Sequence, residues 1–229
     1  MPRAIGIGSS YWTVEDRPER WTVRPFAIFL IALLLMFGPA PSSAQGGLYG
    51  PEAPRNTSYV RIINASDGEP IAPTVAGSGW EPLPFAQVSR YRQVPPGDHS
   101  ALIGGQELSL TTQPESFTTL VVLPDRILVL ADTPLRDISR GLLTLYNLTS
   151  EALTVQTSDG TEVLSAVSPD SASSVTISEA EVELAVYRGD EPLTTLERRL
   201  YRRGEAHSVI VLPTGSDPQI IYDQAGAER

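Results

Sequence analysis

The chain has no cysteine, no lysine and only two histidines in 229 residues. Without cysteine there is no disulfide, no thiol nucleophile and no thiolate metal site, and the redox compartment is left open. Without lysine, every side-chain cation other than protonated histidine is an arginine. Beyond residue 44, 13 arginines stand against 24 Asp plus Glu, a net charge of −11. So acidic a chain repels nucleic acid and anionic lipid at long range, which argues against both as partners. An anionic polysaccharide would have to be met by a local basic patch.

Catalytic patterns are missing as well. His99 and His207 stand alone, and no spacing of His, Asp and Glu reads as a metal site, so no cofactor or metal is expected. Acyl transfer by a Ser-His-Asp set needs a histidine beside a nucleophilic serine and oriented by a carboxylate. Asp98-His99-Ser100 has those residue types, but neighbouring strand positions point to opposite faces. There is no Gly-x-Ser-x-Gly elbow and no Gly-Asp-Ser block. The expectation is a protein without its own catalytic site.

What is present begins with an export pattern. Arg3, Arg17, Arg20 and Arg24 precede twelve continuous apolar residues, Phe26 to Phe37, and Ser42-Ser43-Ala44 places small side chains before Gln45. Twelve helical residues reach about 18 Å against a hydrocarbon core of about 30 Å. Residues 1–44 therefore read as a signal peptide cleaved after Ala44, and the mature protein as exported. Gly and Pro recur between Gln45 and Thr57, which disfavours helix and interior strand, so residues 45–57 form an extended arm.

From Tyr59 onward the pattern is β. Tyr59 to Asn64, Phe85 to Val94, Ser100 to Ile103, Gln106 to Thr112, Phe117 to Leu123 and Arg126 to Ala131 are rich in β-branched, aromatic or alternating residues. Asp67-Gly68, Pro95 to Asp98, Gly104-Gly105, Gln113-Pro114 and Pro124-Asp125 supply the turns between them. No stretch of ten or more residues keeps a helical period. The second half repeats the first. Leu142 to Thr149 lies on Tyr59 to Ser66 with Asn147 on Asn64, an offset of 83. His207 to Pro213 lies on Thr118 to Pro124, an offset of 89, and Asp132 and Asp223 follow at similar distances. The fold class expected is all-β: two tandem antiparallel β-sandwiches, 58–134 and 141–229, joined by a linker over 135–140. Hairpin turns are expected at Ser158-Asp159-Gly160 and Arg188-Gly189-Asp190.

Two surfaces combine arginine with aromatics. Arg198 to Glu205 is the densest basic cluster, and a strand there would put Arg199, Tyr201 and Arg203 on one face. Trp80 with Arg90, Tyr91 and Arg92 forms the other. Guanidiniums match carboxylates and an aromatic face can stack on a sugar, so both are candidate glycan-binding sites. The competing readings are a charged edge strand that resists aggregation and aromatics that are simply core.

Leu48-Tyr49-Gly50-Pro51, Ala53-Pro54 and the Val60-Arg61 strand ending in Asn64-Ala65-Ser66 resemble the AlgF family of alginate biosynthesis proteins. Further matches are Pro96-Gly97-Asp98, Asn147-Leu148, Asp159-Gly160, Gly189-Asp190 and Arg203-Gly204-Glu205. The resemblance implies a periplasmic, non-catalytic adaptor of exopolysaccharide O-acetylation that works with a membrane-bound O-acyltransferase and a periplasmic acetyltransferase. It makes Leu48, Tyr49, Gly50 and Pro51 candidates for partner docking. The alternatives are a glycan-binding module for an anionic polysaccharide, or a structural envelope protein unrelated to acetylation.

Overall fold

The computed structural model describes residues 56–214 and 218–224, and these contain strands and turns but no helix. The first half contributes β1 (Ser58–Asn64), β2 (Thr74–Val75), β3 (Ser78–Gly79), β4 (Gln87–Val88), β5 (Arg92–Val94), β6 (Gly97–Ile103), β7 (Gln106–Thr112), β8 (Phe117–Val122) and β9 (Ile127–Asp132). The second half contributes β10 (Gly141–Asn147), β11 (Leu153–Thr157), β12 (Glu162–Val167), β13 (Ser171–Ile177), β14 (Ala180–Arg188), β15 (Glu191–Tyr201), β16 (Ala206–Leu212) and β17 (Gln219–Gln224). Both expected hairpins form, β11 with β12 and β14 with β15.

Each half is a two-sheet sandwich. In the first, a sheet ordered β4-β1-β8-β9, with β5 also on β1, packs on β3-β2-β6-β7; in the second, β13-β10-β16-β17 packs on β12-β11-β14-β15. Val60, Ile62, Leu120 and Val122 point into the first core, and Leu143, Leu145, Val209 and Val211 into the second. The alternate residues Ile63, Val121, Tyr146 and Ile210 meet one another in a third core. The two inner sheets therefore pack face to face, and the described residues stack as four sheets. This is why every residue of β1, β8, β10 and β16 is buried: these strands are covered on both faces.

The repeat in the sequence is a repeat of topology. Asn64 and Asn147 end equivalent strands and do the same work. Asn64 accepts the Ser66 N–H and donates to the Leu83 carbonyl, while Asn147 accepts the Thr149 N–H and donates to the Val167 carbonyl. Each closes its strand with a side-chain turn and ties it to the neighbouring segment.

Two features depart from the sequence reading. The inner sheets are not wholly antiparallel, because β1 runs parallel to β8 and β10 parallel to β16. A parallel pair needs a long crossover, and the strands of each outer sheet are that crossover. Phe85 to Val94 is also not one strand. It breaks between β4 and β5, where the Ser89 hydroxyl accepts the Ile62 N–H in place of a backbone carbonyl. The break turns Tyr91 into the space between the sandwiches.

Candidate functional site

Where the inner sheets meet, β1 delivers a charge into an apolar layer. Arg61 is 1% exposed. Its Nε donates to Thr119 Oγ1 at 3.0 Å, Nη1 to Asp223 Oδ2 at 3.1 Å, and Nη2 to Tyr146 OH at 2.7 Å and Ser208 Oγ at 3.0 Å. The guanidinium also lies 4.7 Å from the centre of the Tyr91 ring and 5.1 Å from that of Tyr146. Asp132 collects the other ends of this network, accepting from Tyr91 OH at 2.7 Å and from the hydroxyls of Thr119 and Tyr146. Thr119 and Tyr146 thus each accept from the cation and donate to the anion.

The electrostatics follow from this arrangement. Burial by itself disfavours a charged guanidinium, but Tyr146, Tyr91, Asp132 and Asp223 together hold Arg61 protonated beyond the ordinary arginine range. Burial pushes the Tyr146 hydroxyl up to about 12 and Tyr91 well above the usual phenol range, with Arg61 opposing both. Burial also raises Asp223, again opposed by Arg61. Thr119 and Ser208 occupy repeat-equivalent positions, whereas Asp223 stands opposite Ser208 and Asp132 opposite Phe117, two residues out of equivalent register, so the cluster gathers residues from both halves around one arginine. Sequence reasoning marked the two aspartates only as landmarks of the repeat and gave Arg61 no role. The available signal was a lone cation inside the run Tyr59-Val60-Arg61-Ile62-Ile63.

A second polar cluster closes one side of the second sandwich. Arg199 from β15 lays its guanidinium 3.4 Å from the centre of the Tyr222 ring on β17. The Tyr222 hydroxyl bonds His207 Nδ1, and Tyr201 meets His207 edge-on with ring centres 5.0 Å apart. His207 is 2% exposed, and burial, aided by Arg199, lowers it to about 4. The partly solvated Glu205 carboxylate, 3.5 Å from Nε2, does not offset this.

The candidate glycan-binding residues are not gathered into an exposed platform. Tyr201 is turned into the second core at 1% exposure, and β15 ends there, so Arg203 lies in the following turn beside Glu179 at 3.6 Å. Of the set Arg199, Tyr201 and Arg203, only Arg203 faces solvent fully. In the first half Tyr91 is buried on the Arg61 cluster, Trp80 is in the core with Arg92 over its ring at 5.0 Å, and Arg90 is exposed apart from them. The physical reason is the same in both halves: an aromatic flanked by arginines in a sandwich strand buries its ring and leaves the flanking cations outside. The docking candidates Leu48, Tyr49, Gly50 and Pro51 lie outside the described residues, as does the export segment.

His99 Nε2 lies 2.6 Å from the Pro95 carbonyl, and Asp98 accepts from Thr111, so Asp98-His99-Ser100 forms no relay. Among the described residues no group of three His, Asp or Glu side chains converges as a metal site would require.

A family model described as "Alginate O-acetyl transferase AlgF" matches residues 31–208. The alginate biosynthesis protein AlgF of Pseudomonas aeruginosa is 31% identical over 190 residues, covering 81% of this chain and 88% of that protein. The AlgF of Pseudomonas fluorescens is 32% identical over 176 residues, covering 76% and 81%. Among solved structures, the C-terminal domain of P. aeruginosa AlgF is 28% identical and covers 38% of this chain and 98% of that domain, with a TM-score of 0.36. The N-terminal domain is 27% identical and covers 36% and 100%, with a TM-score of 0.33.

Proposed function

Because this chain belongs to the AlgF family of alginate biosynthesis, we propose that it is a periplasmic adaptor of exopolysaccharide O-acetylation, exported by a cleaved signal peptide and without a catalytic site of its own. It works beside a membrane-bound O-acyltransferase that brings acetyl groups across the membrane and a periplasmic acetyltransferase that places them on the polymer. The observation that carries the adaptor reading is the join between the sandwiches. Apolar contacts of Ile63, Val121, Tyr146 and Ile210, together with the Arg61 cluster, make the two domains one body. A body with two similar domains at a fixed spacing can hold two partners in register. A flexible tandem would not.

The chemistry of the polar groups supports the same reading. His207 faces the second core with Nδ1 committed to Tyr222, while Ser208 points the other way and is bound by Arg61. Neither is placed to attack an acyl donor. The experiment is affinity purification of the tagged protein from detergent-solubilised envelopes, followed by an acetyl-transfer assay on the protein alone. Retention of both the acyltransferase and the acetyltransferase, with no transfer by the isolated protein, is the expected result. Transfer by the isolated protein, or recovery without either enzyme, overturns the proposal.

A further inference from the structure

An edge strand presents a row of unpaired backbone groups, and proteins blunt such edges with charge, proline or broken register. β15 carries Pro192, Glu197 and Arg198 and has two breaks in its register with β14, and the edge formed by β4 and β5 is interrupted between Val88 and Arg92. β9 has none of these devices. It is the edge of the first inner sheet, pairs with β8 over six consecutive residues without a break, and its run Ile127-Leu128-Val129-Leu130-Ala131 holds no charge, proline or glycine.

Two hydrogen bonds fix where the backbone groups of β9 point. The Leu123 N–H donates to the Arg126 carbonyl at 2.9 Å across the turn from β8 to β9, and the Val122 carbonyl faces the other way, accepting from the Ala65 N–H at 2.8 Å. Alternation then aims the N–H and C=O groups of Leu128, Leu130 and Asp132 at β8, and those of Ile127, Val129 and Ala131 away from the sheet. Leu128 and Leu130 pack against the third core, whereas Val129 is 46% exposed and Ala131 is exposed. Among the described residues no strand lies beyond β9.

We propose that β9 is the docking edge of the adaptor, where an extended segment of a partner protein joins the inner sheet as a further strand, pairs with the outward N–H and C=O groups of Ile127, Val129 and Ala131, and packs an apolar side chain beside Val129. The inference rests on the adaptor role and gives that role a surface. Backbone bonds of this kind supply affinity, and the side chain beside Val129 supplies selectivity. Charge decides which strand fits. Asp125 and Asp170 share the single Arg126 at the start of β9, and the chain beyond residue 44 carries a net charge of −11, so the matching segment bears arginine or lysine at the end beside Ile127. The same charges disfavour a second copy. In an antiparallel pair of β9 strands centred on Val129, Arg126 would face Asp132 of the second copy. Arg126 is already held by Asp125 and Asp170, and Asp132 by Tyr91, Thr119 and Tyr146, so self-pairing would bring two acidic bodies together without a new ion pair.

The test compares the parent chain, Val129→Pro and Val129→Asp in affinity purification from detergent-solubilised envelopes, with backbone hydrogen exchange read in the purified parent alone and in the complex it retains. Val129→Pro deletes an outward N–H and leaves the ladder to β8 bonded, while Val129→Asp keeps the backbone and sets a charge where an apolar side chain should pack. Unshifted Val60 and Ile62 methyl signals identify a variant that keeps the first core. The expected result is retention of the acyltransferase or the acetyltransferase by the parent, a loss of about tenfold or more in each variant with an intact core, and slower exchange at Ile127, Val129 and Ala131 in the complex. Equal retention by parent and variants, or a complex in which those three amides exchange as before, overturns the docking edge and leaves the adaptor role standing. Retention of neither enzyme by the parent overturns the adaptor role and this inference with it. A concentration-dependent dimer in sedimentation that Val129→Pro abolishes assigns the edge to a second copy and also overturns the proposal.

Discussion

Arg61, at 1% exposure with Asp132 and Asp223 on either side, is the residue on which the join between the sandwiches turns. Removing one partner of a buried ion pair leaves the other partner's charge uncompensated, which costs about 3 to 5 kcal/mol. Arg61→Leu should lower the urea unfolding free energy by that amount. Arg61→Lys keeps the charge but cannot reach Thr119, Tyr146, Ser208 and Asp223 at once, so it should fall between the two. His207 gives the molecule a pH dependence. Its folded value of about 4 lies below its unfolded value near 6.5, so the unfolded chain binds the extra proton between them. The neutral ring's contribution is fully present above pH 6.5 and is lost as pH falls towards 4, by roughly 3 kcal/mol. Urea midpoints measured across this range should show the step in the parent protein and not in His207→Gln. The residue-scale chemistry was only half visible in the sequence. Asp132 and Asp223 stood out as repeat landmarks, but their meeting at Arg61 depends on two sheets stacking, which no local pattern encodes.

At the scale of elements, the repeat makes paired predictions. Asn64 and Asn147 close equivalent strands with equivalent bonds, so Asn64→Ala and Asn147→Ala should each destabilise by about 1 to 3 kcal/mol. A large loss in one and none in the other would break the equivalence. Gly141 starts β10 with almost no room beside it. A Cβ there would meet the Arg202 carbonyl oxygen at 2.9 Å and an Ile177 carbon at 3.2 Å, so Gly141→Ala should shift the β10–β16 contact and lower the melting temperature. The strands themselves were legible because β1, β8, β10 and β16 are rich in β-branched, aromatic and leucine residues and the turns between strands carry Gly, Pro and Asp. The parallel pairing within each inner sheet was not. Parallel and antiparallel neighbours impose the same alternation on a strand, and only the path of the crossover distinguishes them. For the same reason, alternation placed Tyr201 and Arg199 on one face without revealing that this face is the inner one.

On the scale of the whole molecule, the third core and the Arg61 cluster fuse two sandwiches that would each be small alone. Domains of this size bury about 60 to 65% of their unfolded surface and gain from leaning on one another. Chemical unfolding should therefore show one transition for both halves, followed independently by the Trp80 fluorescence of the first and the methyl signals of the second. Arg61→Leu should separate the two. A fixed spacing between the domains is what an adaptor needs, and an acidic surface with scattered arginines is better suited to protein partners than to a polyuronate.

The most direct measurement is the O-acetyl content of secreted exopolysaccharide, by proton NMR, in a strain lacking the gene and in strains complemented with the parent chain or with Arg61→Leu. Polymer in normal amount but without acetyl groups is expected in the deletion, with acetylation restored by the parent chain and restored poorly by the variant that uncouples the sandwiches. Acetylation unchanged by the deletion would contradict it.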